Sequence, residues 1–225
     1  VSAAAEGGMG SLRRLTSRAD APIESFSAVG MRTADACELA MRYVFDIQQG
    51  QPVAGRSTLR LTIKPRDSLR FGYVIEMDES SALPLRVITV TPDGQVLERY
   101  EFADISIEGV SHWPAPQLVS LPGRFVMAAL PPGFSVVARR MSSVETLIVS
   151  DGFAAASVFI EPAADDLMPG EGAVQHGSTV SYTRGISMRG QKVLVTVLGE
   201  IPLTTARLVA DAVRPVAMPR EVDVN

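Results

Sequence analysis

Apolar and polar residues alternate along much of this chain, and turn-forming residues break the alternation at short intervals. Leu59, Leu61 and Ile63 alternate with Arg60, Thr62 and Lys64, the period of a strand with one buried face. Phe71, Tyr73, Ile75 and Met77 repeat that pattern after a charged turn, KPRD. The segment DESSALP turns into a third strand over residues 85–90, and Pro92-Asp93-Gly94 marks a tight hairpin into a fourth over 96–102. A short continuation fits 105–107. The result is an antiparallel meander whose strands each offer one apolar face.

A second block shows the same density of signals. Leu130-Pro131-Pro132-Gly133-Phe134 reads as a turn into a strand over 135–140, and Ser150-Asp151-Gly152 joins strands over 144–149 and 153–161. Residues 162–177 are acidic and contain glycine, which predicts an exposed loop. Strands over 178–188 and 191–199 meet at Arg189-Gly190, with Val193, Val195 and Val197 on the core face. A helix then starts at Ile201-Pro202-Leu203 and runs to about Val213. Its apolar stripe is Leu203, Ala206, Val209 or Ala210, and Val213, so it covers a sheet.

Outside these blocks the pattern changes. Residues 1–32 are rich in Ala, Gly and Ser without apolar periodicity, which predicts a disordered or loosely attached segment. From Thr33, a helix cap, a short helix would place Cys37, Ala40, Met41 and Val44 on one face; the stretch 42–48 fits an opening strand as well. The run GVSHWPAPQLVSLPG has three prolines and so makes neither a central strand nor a regular helix. It is the expected linker, residues 109–123, between a first domain at 33–108 and a second at 124–217, with a tail at 218–225. Trp113 within it is expected to pack the linker onto a domain.

Composition narrows the chemistry. A net charge of -4 and a pI near 5.3 disfavour nucleic acid as a partner. The 19 arginines against two lysines still allow local basic patches suited to carboxylate or phosphate. One cysteine, Cys37, rules out an intrachain disulfide and is expected to be a buried small residue. The opening residues lack a basic stretch followed by a long apolar run, and no segment offers about 20 uninterrupted apolar residues, so neither a secretory leader nor a membrane span is expected.

With two histidines far apart, His112 and His176, no metal site or other cofactor is expected. His176 with Asp151 or Asp165 lacks a nucleophile-elbow pattern, Asp165-Asp166 reads as a solvated pair, and no phosphate-binding fingerprint occurs. Binding without turnover is the better reading. The candidate partner contacts are Phe134, Arg139, Arg140, Tyr182 and Arg184, because aromatics and arginines dominate interface energetics. The alternative is a lipid or lipoprotein carrier, in which Leu59, Leu61 and Ile63 with Phe71, Tyr73 and Ile75 line an acyl groove; the same residues would serve as core under a helix.

Six segments in register resemble the MucB/RseB family: VAGRSTLRLTIKPRD, FGYVIEMDESSALPLR, DGQVLERYEF, LPPGF, SDGFAAASVFIEP and VTVLGEIPLTTARLVADAV, within residues 41–217. The resemblance implies an α+β fold in two parts: an N-terminal half-barrel similar to the lipoprotein carrier LolA, then a smaller antiparallel sheet domain covered by a C-terminal helix. It implies a periplasmic negative regulator of sigma-E envelope-stress signalling. Such a protein binds the periplasmic region of an RseA/MucA-type anti-sigma factor, shields it from proteolysis, and lets go when lipid or lipopolysaccharide engages the half-barrel. The resemblance also implies a leader and further strands ahead of Thr33, which residues 1–32 do not supply. The half-barrel is therefore expected to be partial, with an open edge and part of its apolar face uncovered. A homo-oligomer is compatible with the sequence.

Overall fold

In the computed structural model, residues 36–106, 123–163, 170–188 and 190–216 are described. The N-terminal lobe begins with helix α1, Ala36–Arg42, which passes directly into strand β1, Tyr43–Gln49. The strand alternative is therefore the one realised from Tyr43 on, and Val44, placed on the helix by the sequence, belongs to β1. The buried contact of α1 is Leu39, which packs on Tyr43, Ile63, Phe71 and Tyr73. Cys37 and Met41, assigned from the sequence to an inner face, are exposed. The helix is under two turns long, too short for periodicity to fix its orientation.

Four further strands follow: β2, Thr58–Pro65; β3, Gly72–Asp78; β4, Pro84–Val90; and β5, Val96–Glu101. They form an antiparallel sheet in the order β1-β2-β3-β4-β5, the meander read from the alternation. The pleat separates two unlike faces. One carries Arg60, Glu76, Arg86 and Glu101 in a single cross-strand row. Glu76 is buried at its centre, accepting hydrogen bonds from Arg60 Nε at 2.8 Å and Thr58 Oγ1 at 3.0 Å. The other face is apolar. Residues 105–106 do not extend the sheet.

The C-terminal lobe holds β7, Ser135–Arg140; β8, Glu145–Ser150; β9, Ala155–Pro162; β10, Gly170–His176; β11, Thr179–Met188; and β12, Gln191–Gly199. Their order is β10-β11-β12-β9-β8-β7, all antiparallel. Helix α2, Leu203–Asp211, lies across the inner face with Thr205, Ala206, Val209 and Ala210 buried. Leu147, Val149, Val158, Ile160, Val195 and Val197 meet it from the sheet. Burying such side chains contributes roughly 1.5 to 3 kcal/mol each before conformational entropy is counted.

Three departures have local causes. Residues 170–176, expected to be loop, form β10: the backbone pairs with β11, but all seven side chains are exposed, so no apolar alternation marks the strand. Helix α2 stops at Asp211, because Val213–Pro215 leaves it as strand β13 to pair with β6, Phe125–Met127. That pairing joins the two ends of the lobe and has no signature in three-residue segments. Phe153, placed at a strand start by the sequence, sits in the turn before β9. Thr33, His112, Trp113, Asp165, Asp166 and the segments 1–32, 109–122 and 218–225 lie outside the described residues.

Candidate functional site

The two lobes meet around one carboxylate. Asp151 lies in the turn between β8 and β9, where its Oδ1 accepts the backbone N–H groups of Phe153 at 3.0 Å and Ala154 at 2.8 Å. Its Oδ2 faces the other lobe and accepts the Tyr43 hydroxyl at 2.9 Å and the Nε of Arg70. Arg70 is 0% exposed and donates also to Asp67 and to the carbonyl of Pro132. Its guanidinium also lies 5.2 Å from the centre of the Phe134 ring. Burial, then the Asp151 charge, raises the Tyr43 hydroxyl well above its ordinary pKa, so it stays a donor.

A buried ion pair is favourable only when its hydrogen bonds are complete, and here all four known acceptor positions of Asp151 are filled. Neighbouring contacts fix the same junction. Thr205 Oγ1 of α2 donates to the Leu69 carbonyl at 2.7 Å. Gly133, at φ +86°, lies where a Cβ would stand 1.9 Å from Arg42 Nε, so a side chain there would both strain the backbone and displace the Arg42 side chain.

At the far end of the junction, Ser178 Oγ donates to Glu98 at 2.6 Å. Those hydrogen bonds from Ser178, with one from Tyr100, hold the Glu98 carboxyl below its usual range, while the Tyr100 hydroxyl is pushed up to about 12 by the same contact. Glu200 nearby is raised by burial and by the Glu98 charge. A cleft of about 420 Å³ opens beside it, walled by Tyr73, Phe153, Ile148 and Leu198.

The apolar face of the N-terminal sheet runs out from this junction in rows. The row Phe45, Ile63, Tyr73, Thr89 and Glu98 is the one the C-terminal lobe reaches, and Ile63, Tyr73 and Thr89 within it are buried. Phe153 supplies much of that cover, with its ring centre 5.6 Å from Tyr43, 6.3 Å from Phe45 and 5.8 Å from Tyr73. In the next row, Ile47 and Tyr100 are 62% and 60% exposed at the two ends, with Leu61, Ile75 and Val87 half-buried between them. Leu59 lies beyond, also exposed.

The residues singled out from the sequence thus divide. Among the acyl-groove candidates, Leu59, Leu61 and Ile75 line the open part of the face, whereas Ile63, Phe71 and Tyr73 are core. Among the partner candidates, the rings of Phe134 and Tyr182 are buried, which removes them from the groups a partner can touch directly. Phe134 instead supports Arg70, and Tyr182 donates from its hydroxyl to Glu171. Arg139 turns inward to buried Glu145 and the Phe125 carbonyl. Arg140 is exposed on edge strand β7, and Arg184 pairs with Asp211 at the outer side of α2. Arg207, 3.1 Å from Glu171, and Arg214 lie with Arg184 on the α2 side, whereas Arg140 is on the opposite face of the sheet. The junction residues Tyr43, Arg70, Glu98, Asp151 and Phe153 were not among the sequence candidates.

Two antiparallel sheets joined through a buried charge, with one apolar face left open, define a two-lobed β-rich protein. Comparison with known proteins places it further. The MucB/RseB C-terminal domain model matches residues 120–214 and the MucB/RseB N-terminal domain model matches 13–124. The chain belongs to the MucB/RseB family. It is 31% identical over 211 residues to the sigma factor AlgU regulatory protein MucB of Pseudomonas aeruginosa, covering 83% of this chain and 65% of that protein. To the sigma-E factor regulatory protein RseB of Escherichia coli K12 it is 28% identical over 187 residues, covering 72% of this chain and 56% of that protein. Among solved structures, the complex of Pseudomonas aeruginosa MucA and MucB contains a chain that aligns with 83% of this one at a TM-score of 0.69 and 32% identity, covering 70% of that chain. A crystal structure of MucB aligns at a TM-score of 0.64 and 31% identity, covering 82% of this chain and 67% of that one. The chain therefore spans about two thirds or less of the curated relatives.

Proposed function

We propose that this chain is a negative regulator of sigma-E-type envelope-stress signalling. It acts in the periplasm, binds the periplasmic region of an RseA/MucA-type anti-sigma factor without turning it over, and shields that region from proteolysis. The observation that carries the reading is the likeness, across both lobes, to a MucB chain solved together with MucA. The candidate contacts are Arg184, extended by Arg207 and Arg214, on the side of the C-terminal lobe that carries α2, and Arg140 at the far edge and on the opposite face of its sheet. Arginine forks suit the carboxylates of an acidic segment. A protection assay tests it: adding the folded chain should slow cleavage of an RseA/MucA-type periplasmic region by a protease that degrades it, and unchanged cleavage would remove the proposal.

A second reading, as a lipid-binding protein of the LolA type, is favoured by the open apolar row from Ile47 to Tyr100. Five side chains across five strands span about 19 Å at the usual strand spacing, enough for a fatty acyl chain lying across the sheet. The two readings are compatible, since lipid on one lobe can regulate binding on the other. Saturable binding of an acyl-chain fluorophore, lost in Ile75→Glu with the fold intact, would support lipid binding.

A further inference from the structure

We propose that Phe153 is a displaceable plug: it holds the lobes together by occupying the aromatic end of the apolar sheet face, and an alkyl chain filling that face competes with it and releases the C-terminal lobe. The proposal rests on the lipid-binding reading and adds how occupancy would be transmitted.

The burial pattern carries it. The interface with the C-terminal lobe covers the middle of one cross-strand row, Ile63, Tyr73 and Thr89, and stops there, although the adjacent row is the more apolar of the two. Ile63 and Tyr73 are 0% and 8% exposed, yet Ile47, Leu59 and Tyr100 on the same face remain open. The covered and uncovered rows are thus one continuous surface that Phe153 occupies only in part. Phe153 is itself 38% exposed and sits in a turn with the positive-φ Gly152 before it, so its ring is held by three aromatic neighbours and not by a packed strand.

The chemistry of the face selects the competitor. The open row is aliphatic apart from Tyr100, whose hydroxyl is already bonded to Glu98. A peptide laid along it would find no donor or acceptor for the amide groups it turns toward the sheet, a cost an alkyl chain does not incur. A chain that reaches from Ile47 toward Phe45 and Tyr43 meets the Phe153 ring. Displacing that ring moves the turn that also holds Asp151 against Tyr43 and Arg70. The plug and the ion pair sit on one short segment, so loss of the first strains the second, and the two states of the junction differ in ligand affinity as coupling requires.

The test uses the full chain and a fluorescent fatty acid as probe, with Phe153→Ala and the apolar Phe153→Leu as variants and circular dichroism as a check on folding. Interlobe distance is read by electron spin resonance between labels on Asp93→Cys and Gln191→Cys in a Cys37→Ser background. Removing the competitor should tighten fatty-acid binding at least about fivefold in Phe153→Ala, with Phe153→Leu in between. In the parent chain, the fatty acid should change the interlobe distance. Equal affinity in all three proteins, or binding with no change in distance, overturns the plug while leaving lipid binding in place. No binding to any of them removes both.

Discussion

The hydroxyl of Tyr43 donates to the Asp151 carboxylate at 2.9 Å across the boundary between the two sheets, beside the buried guanidinium of Arg70. The first strand of one lobe and a hairpin turn of the other are thereby tied at a single acceptor. Asp151→Ala would strip Arg70 of its buried charge partner and leave only the partly exposed Asp67, which costs up to about 3 to 5 kcal/mol. Urea unfolding should show that loss. The double variant Asp151→Leu with Arg70→Met should lose less than the sum of the single changes, because no fully buried charge is left unpaired and Asp67 is partly open to solvent. A single-variant loss within about 0.5 kcal/mol of zero would mean that the junction is not held this way.

Gly50 precedes the turn into β2 and has no room for a side chain. An added Cβ would stand 2.2 Å from Glu76 Oε2 and 2.8 Å from the Thr58 carbonyl. The carbonyl belongs to a paired strand and Glu76 is fixed by Arg60 and Thr58, so neither yields easily. Gly50→Ala should lower stability by about 1 to 3 kcal/mol, as overpacking does. Thermal unfolding of that variant checks the buried charge row of the N-terminal sheet, and an unchanged midpoint would contradict its placement.

Acid should loosen the lobe contact through Glu98. Its carboxyl is held below the ordinary value of 4.5 by hydrogen bonds from Ser178, so its contribution is complete above that pH and is lost as pH falls through the lower folded value. Glu101, lowered to about 2 by Arg86 and Arg99, follows the same sign within the N-terminal lobe. Glu200 has the opposite sign, since burial raises it and its ionisation opposes folding. Unfolding midpoints recorded from about pH 7 to about pH 3 should therefore fall less steeply in Glu98→Gln than in the parent. Parallel curves would show that Glu98 carries no weight at the junction.

Much of the fold is legible in the sequence because its strands are half-buried. Leu59/Leu61/Ile63 and Val193/Val195/Val197 announce both their period and their inner face, and the Pro92-Asp93-Gly94 and Ser150-Asp151-Gly152 signals fall at observed turns. Strand β10 escapes because nothing on it is buried. The junction escapes for a different reason: Arg70 and Asp151 are 81 residues apart, and an ion pair between distant segments leaves no local pattern. Phe134 and Tyr182 show the limit of reading surface chemistry from residue type, since each aromatic side chain is spent inside the molecule, one under Arg70 and one under Arg207.

Direct titration of the folded chain with the periplasmic region of an RseA/MucA-type anti-sigma factor is the most direct measurement. Saturable one-to-one binding is expected, weakened about tenfold or more by charge reversal at Arg184 and Arg207 together. A chain that keeps its circular dichroism and cooperative unfolding yet shows no binding would contradict the assignment.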